Sequence, residues 1–273
     1  MANRIANCFS AAKENGRGIL GVFVSAGDPT EQICVSILDE LVSAGADIIE
    51  LGMPFSDPMA DGPAIQAGSL RAIRAGMTLE KTLKIAADFR KKHADTPLIL
   101  MGYYNPIYRY GCDKFLTECQ TAGVDGLIIV DLPPEEDSEL CDLAIAADID
   151  FIRLTTPTTK GPRLTKVLEK AGGFVYYVSI TGITGTKSAA ADSIAQAVGD
   201  IRSQTDLPVV TGFGIRTADQ AAEAAIISDG AIVGSAVVDI IANNIDETGK
   251  PADDIPQKIG AFVSDMAKAI AAG

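Results

Sequence analysis

ADIIELGMPFSDPMADGP, residues 46–63, is where the chain turns from apolar, β-branched sequence into something that cannot be core. Ile48 and Ile49 mark a strand, because β-branched side chains suit a pleated, half-buried surface. Side chains alternate along a strand, so Ile48 and Glu50 share one face while Ile49 and Leu51 share the other. A carboxylate ending such a strand is costly to bury without a partner or a task. Two more carboxylates, Asp57 and Asp61, follow in a stretch stiffened by Pro54, Pro58 and Pro63. The pattern is that of a buried strand ending in an acid and opening into an active-site loop.

The same kind of strand recurs on both sides of this stretch. Short apolar runs begin near Ile19, Asp47, Pro97, Gly126, Asp150, Phe174, Leu207 and Gly230, and helix-like sequence separates them. Their continuous apolar character fits parallel strands covered on both faces. Helical spacing shows in Ile33, Ile37, Leu38 and Leu41, and again in Leu79, Leu83, Ala86 and Ala87. Thr30 and Thr217 are placed as N-caps, and Ala44-Gly45 and Ala122-Gly123 as helix stops. Eight such units predict an α/β fold, a (β/α)8 TIM barrel, as a single domain over residues 1–273. An open doubly wound sheet fits eight evenly repeated units less well. An extra N-terminal helix (Ile5, Cys8, Phe9, Ala12) precedes strand one. A long loop after strand two carries a short helix near residues 64–75, and residues 244–256 connect to a final helix over 258–272.

Composition removes several function classes. The net charge of −13 argues against a nucleic-acid surface, which needs clustered Lys and Arg. No apolar run approaches the ~18 residues of a membrane span, and the N-terminus lacks the pattern of a secretion signal. Five cysteines without a C-x-x-C pair read as free thiols of a cytoplasmic protein. The single histidine, His93, sits in a polar KKH run at a helix end, which argues against a catalytic role and against a zinc site.

Active sites of this fold lie at the C-terminal strand ends. Those ends offer Glu50 and its loop, then Tyr103, Tyr104 and Asn105, then Asp131, then Tyr176 or Tyr177. Within SITGITGTK, the loop Thr181 to Lys187 has the composition of a mobile lid. After strands seven and eight come Gly212, Gly214, Gly234 and Ser235, in the two loops that commonly hold a phosphate. No strand interior carries a lysine, which argues against a Schiff-base aldolase. Proton transfer is left to Glu50, Asp57, Asp61, Asp131 and the tyrosines. The bland reading of Glu50 is a strand-end acid paired with an arginine such as Arg153.

ELGMPFSDPMADGP with the following Ile65-Gln66, together with GDP (27–29), MGYYNP, VDLPPEE, TGITG, GFGI and GSA, resembles the tryptophan synthase α subunit family over essentially the whole chain. The resemblance implies a (β/α)8 lyase that cleaves indole-3-glycerol phosphate to indole and glyceraldehyde 3-phosphate without a cofactor or metal of its own. It implies Glu50 as the acid–base residue and Asp61 as its partner at the indole nitrogen. Phe23, Ile65, Tyr103, Tyr176 and Thr184 match positions near substrate; Gly185, Phe213, Gly214, Gly234 and Ser235 match the phosphate site. It further implies a pyridoxal-phosphate-dependent β subunit in an α2β2 heterotetramer, with Pro54, Asp57, Pro58 and Asn105 at or near the interface. The competing expectations are a Mg²⁺-dependent lyase built on Asp57, Asp61 and Asp131, a stand-alone indole-producing lyase, and a non-catalytic regulatory subunit.

Overall fold

Each apolar run becomes a parallel strand, and the polar segments between them return as helices over its outer face. A computed structural model describes residues 3–179, 187–212 and 214–273, with residues 187–190 described by backbone alone. The strands are β1 (Ile19–Ser25), β2 (Ile48–Gly52), β3 (Leu98–Gly102), β4 (Gly126–Ile129), β5 (Asp150–Phe151), β6 (Arg153–Thr155), β7 (Val175–Val178), β8 (Val209–Gly212) and β9 (Gly230–Val233). They pair in the order β5-β4-β3-β2-β1-β9-β8-β7-β6. The two ends of that order, β5 and β6, are consecutive in the chain. One barrel strand is therefore split at Ile152, its first part pairing with β4 and its second with β7. The sheet comes round on itself as an α/β barrel.

The helices are α1 (Arg4–Glu14), α2 (Glu31–Ser43), α3 (Pro63–Arg74), α4 (Leu79–Lys92), α5 (Tyr104–Tyr110), α6 (Cys112–Ala122), α7 (Ser138–Ala146), α8 (Pro162–Leu168), α9 (Lys187–Arg202), α10 (Ala218–Ile227), α11 (Ser235–Ala242) and α12 (Ile255–Ala272). Local chemistry sets their ends. The Thr30 hydroxyl accepts the Ile33 N–H, and Thr217 forms a reciprocal capping box with Gln220. Gly123 ends α6 in the left-handed region, where a Cβ would be strained. Pro63 opens α3, where its missing N–H costs nothing. α5 is absent from the sequence reading, because Pro106 in its first turn resembles a loop signal.

Inside the barrel, Ile19, Ile48, Ile99, Ile128, Ile152, Val210 and Ile232 form one packed cluster, and a second layer lies between strands and helices. α1 closes the N-terminal end, burying Ile5, Phe9 and Ala12, with the Phe9 and Phe174 rings 5.7 Å apart. Three acids at that end are held by arginines and backbone N–H groups. Asp47 takes both Arg17 guanidinium nitrogens at 2.7 and 2.8 Å and the Leu20 N–H at 2.8 Å. Asp125 binds Arg4, Arg90 and the Leu98 N–H, and Asp229 binds Arg202 and the Val209 N–H.

Candidate active site

Glu50 lies midway along β2, three residues on from Asp47 toward the C-terminal end of the strand. It projects on the barrel-interior face with Ile48 and is 1% exposed. Its Oε1 meets no hydrogen-bond partner among the described residues. Burial alone pushes the carboxyl from 4.5 up to about 8, so the acid is largely protonated at neutral pH. Arg153 is not its partner. Ile152 and Leu154 face the barrel interior, so Phe151 and Arg153 face the outer layer, where Arg153 pairs with Asp137 and lies 4.5 Å over the Phe151 ring.

The neighbours of Glu50 are aromatic, and glycines make room for them. Of the two candidate tyrosines, Tyr176 faces the interior and Tyr177 the outer layer. The Glu50 charge and burial together push the Tyr176 phenol well up, burial being the larger effect. A Cβ on Gly212 would stand 2.2 Å from the Tyr176 hydroxyl, and one on Gly52 would stand 2.6 Å from Phe23. The Tyr176 ring therefore requires a glycine at position 212.

Asp61 is held by its own loop. Its N–H donates to the Pro58 carbonyl at 3.0 Å, and Gln66 on the first turn of α3 donates to the Asp61 carbonyl at 2.8 Å. Burial raises the Asp61 carboxyl to about 6, opposed by the neighbouring Tyr103 hydroxyl. The Tyr103 oxygen also accepts the Ala60 N–H at 3.0 Å, and its ring lies 5.4 Å from that of Phe55. Phe55 is thus half-buried, while Met59 is 76% exposed. Sequence reading gave Gln66 no role. Its spacing from Asp61, across the Gly62-Pro63 helix start, is the signal that could have found it.

Other expected residues divide by position. Ile65 is half-buried on α3, and Phe23 is buried on β1 beside Glu50 in register. Pro54 and Pro58 are half-buried, and Asp57 and Asn105 are exposed, Asn105 lying in α5 rather than at a strand end. Asp131 does not join Asp57 and Asp61; its Oδ1 accepts the Tyr104 N–H at 2.8 Å. Among the described residues no group of three His, Cys, Asp or Glu is arranged to hold a metal. His93 caps α4 and bonds Asp39 at the surface.

Gly234 is the N-cap of α11 and supplies no side chain to its first N–H groups, which leaves them open to an anion. Ser235 begins that helix, and Gly214 is exposed with φ 76°. Thr184, Gly185 and Phe213 lie outside the described residues. No helix among the described residues is long and apolar enough to cross a membrane.

A family model described as "Tryptophan synthase alpha chain" matches residues 9–270. The tryptophan synthase alpha subunit of Legionella pneumophila str. Paris is 38% identical, with a TM-score of 0.90 and coverage of 99% of this chain and 99% of that one. An alpha chain from Legionella pneumophila subsp. pneumophila is 37% identical, with a TM-score of 0.89 over 99% of this chain and 98% of its own. A Mycobacterium tuberculosis tryptophan synthase structure matches at 33% identity and TM-score 0.88, covering 100% of both chains.

Proposed function

Because the chain belongs to the tryptophan synthase alpha chain family, we propose that Glu50 and Asp61 carry that family's reaction, in a single barrel domain spanning residues 1–273. The chain is a lyase that cleaves indole-3-glycerol phosphate to indole and glyceraldehyde 3-phosphate. The family's alpha subunit needs no cofactor, and pyridoxal phosphate belongs to the beta subunit.

The observation that carries the assignment is a pair of carboxyls whose environments set them on opposite sides of neutrality, at about 8 and about 6. Such a pair provides an acid and an anion at one pH. Breaking the bond from indole C3 to the glycerol chain is a retro-aldol step. Protonated Glu50 delivers its proton to C3, which leaves positive charge on the ring nitrogen. Ionised Asp61 stabilises that charge as preorganised electrostatics. The Glu50 carboxylate then takes the proton of the adjacent hydroxyl. The carbon–carbon bond breaks, its electron pair returns to the ring to give neutral indole, and the other fragment leaves as the aldehyde. Glu50 ends protonated, ready for the next cycle.

Phe23, Ile65, Tyr103, Tyr176 and Thr184 form the surroundings of the indole and glycerol moieties. The phosphate is bound by backbone around Gly185, Phe213, Gly214, Gly234 and Ser235, supported by the open N-terminus of α11. The partner is a beta subunit in a cytoplasmic α2β2 assembly, docking over Pro54, Asp57, Pro58 and Asn105. The exposed Met59 and Asn105 at the barrel mouth support that surface.

Indole release from indole-3-glycerol phosphate by the purified chain, with and without beta subunit, tests both parts. Acceleration by the added subunit is expected. Full speed alone, with no co-elution, would remove the partner and leave a stand-alone lyase. No release under either condition would remove the catalytic assignment in favour of a regulatory subunit.

A further inference from the structure

The carboxylate of Asp61 can act on a ring nitrogen only if a loop of prolines and small residues holds it still. The contacts that do so come from the ends of two other strands. Tyr103 directly follows β3 and is 3% exposed. A phenol offers one donor and two acceptor lone pairs. The Tyr103 oxygen accepts the Ala60 N–H at 3.0 Å, which sets the hydroxyl beside the neighbouring Asp61, whose proton affinity it lowers. One side chain thereby fixes the main chain of one residue and acts on the side chain of the next. The Phe55 ring, earlier in the same loop, packs against that of Tyr103 with centroids 5.4 Å apart.

Tyr103 is itself anchored. It is the N-cap of α5 but makes no side-chain cap bond there. The first N–H of that helix, from Tyr104, is taken instead by Asp131 Oδ1 at 2.8 Å, from the segment after β4. Asp131 is the strand-end acid that the proton-transfer chemistry leaves unused. A continuous path runs from the end of β4, through the first turn of α5, to residues 60–61.

We propose that Tyr103 and Asp131 are a positioning pair for Asp61, Tyr103 gripping the loop directly and Asp131 fixing the helix start that aims Tyr103. Neither is assigned a proton of the reaction. This rests on the reading of Asp61 as the anion at the indole nitrogen.

The test uses the whole chain in the presence of beta subunit, with Tyr103→Phe, Asp131→Ala, Asp131→Asn, the Tyr103→Phe/Asp131→Ala double variant, and Asp61→Asn as reference. Tyr103→Phe keeps the ring and loses the grip. It is expected to lower kcat about 10²-fold, the scale of a misplaced catalytic group. The pH profile carries the second readout. Of the titratable groups nearby, Glu50 is uncharged below about 8, Asp57 is exposed on the same loop, and Asp131 acts through Tyr103. Losing the Tyr103 hydroxyl removes a contact that favours the ionised Asp61. The acid limb of kcat/KM must then move to higher pH. Asp131→Ala is expected to cost about tenfold through the same limb. Asp131→Asn retains an acceptor for the Tyr104 N–H and should restore most of that loss, and the double variant should be no worse than Tyr103→Phe.

A Tyr103→Phe enzyme with normal kcat, or one whose loss lies in KM with an unmoved acid limb, overturns the proposal and leaves Tyr103 as a substrate contact. Full additivity in the double variant removes Asp131 from the pair. An Asp61→Asn enzyme at full rate sinks the reading of Asp61 itself, whatever Tyr103→Phe does.

Discussion

Along β2 run two acids, three residues apart, that live in opposite circumstances. Asp47, at the closed end, has an arginine in bidentate contact and a backbone N–H besides. Glu50, toward the open end, is buried with an oxygen that no described residue satisfies. The pattern extends round the barrel, since Asp125 and Asp229 are engaged in the same manner as Asp47. At the closed end Asp47, Asp125 and Asp229 join one strand to the next. At the open end Asp28 and Asp131 are likewise held, by Arg71 and by the Tyr104 N–H, while Glu50 and Asp61 are left with raised proton affinities. Glu50 and Asp61 are thus the exceptions that structure alone does not require.

The sharpest way to break that contrast is Glu50→Gln, which keeps shape and removes the cycling proton. Turnover is expected to fall by on the order of 10²–10⁴ or more, with substrate binding retained. Near-normal steady-state rates would end its role as acid–base residue. The same variant has a stability signature. A folded-state carboxyl at about 8, against 4.5 unfolded, is neutral in both states below pH 4.5. Between those values the unfolded chain has released its proton and the folded one has not, so the wild type loses stability as pH rises, by about 1.4 kcal/mol per unit. Above about 8 the loss is complete. Denaturant midpoints at pH 5 and pH 8 should therefore diverge in favour of the glutamine variant, by on the order of a few kcal/mol. Parallel curves would mean that Glu50 is already ionised in the fold.

Asp47→Ala is the mirror experiment at the closed end. It leaves Arg17 and the Leu20 N–H without their acceptor, so unfolding free energy should drop by about 2 kcal/mol. Turnover per folded molecule should not change. A specific loss of kcat there would erase the division between the ends. Gly234→Asp places a like charge and a side chain at the N-terminus of α11. It should raise KM for the phosphorylated substrate about tenfold or more, with little effect on an analogue lacking phosphate. The smallest effect belongs to His93→Ala, a surface contact to Asp39, where a change below about 1 kcal/mol in stability and none in rate is expected.

The contrast was partly readable beforehand. Continuous apolar runs, Thr caps and Ala-Gly stops carry their physics in single residues or in a fixed period, and they located the barrel. The strand split at Ile152 left no such mark, because DFIRLT reads as one apolar run in sequence. Arg153 stayed open as a partner for Glu50 because the sequence does not say which face of that run meets the barrel interior. α5 was hidden because Pro106 serves as a first-turn residue where a turn would use the same proline. In the site, Glu50 and Asp61 were legible as acids that a buried strand and a proline-rich loop would not otherwise carry. Gln66, and the link from Asp131 through Tyr104, were not, since both depend on backbone groups brought together only by folding. Gly212 was legible as a glycine, but its reason, the Tyr176 ring, lies on another strand.

The helix that closes the floor has a further consequence. With Ile5, Phe9 and Ala12 sealing the N-terminal end of the barrel, the end left for traffic is the rim where, among the described residues, Met59 and Asn105 are exposed. A protein seated on that rim would stand in the doorway. Its fit would decide whether a freed aromatic product escapes into water or is handed on.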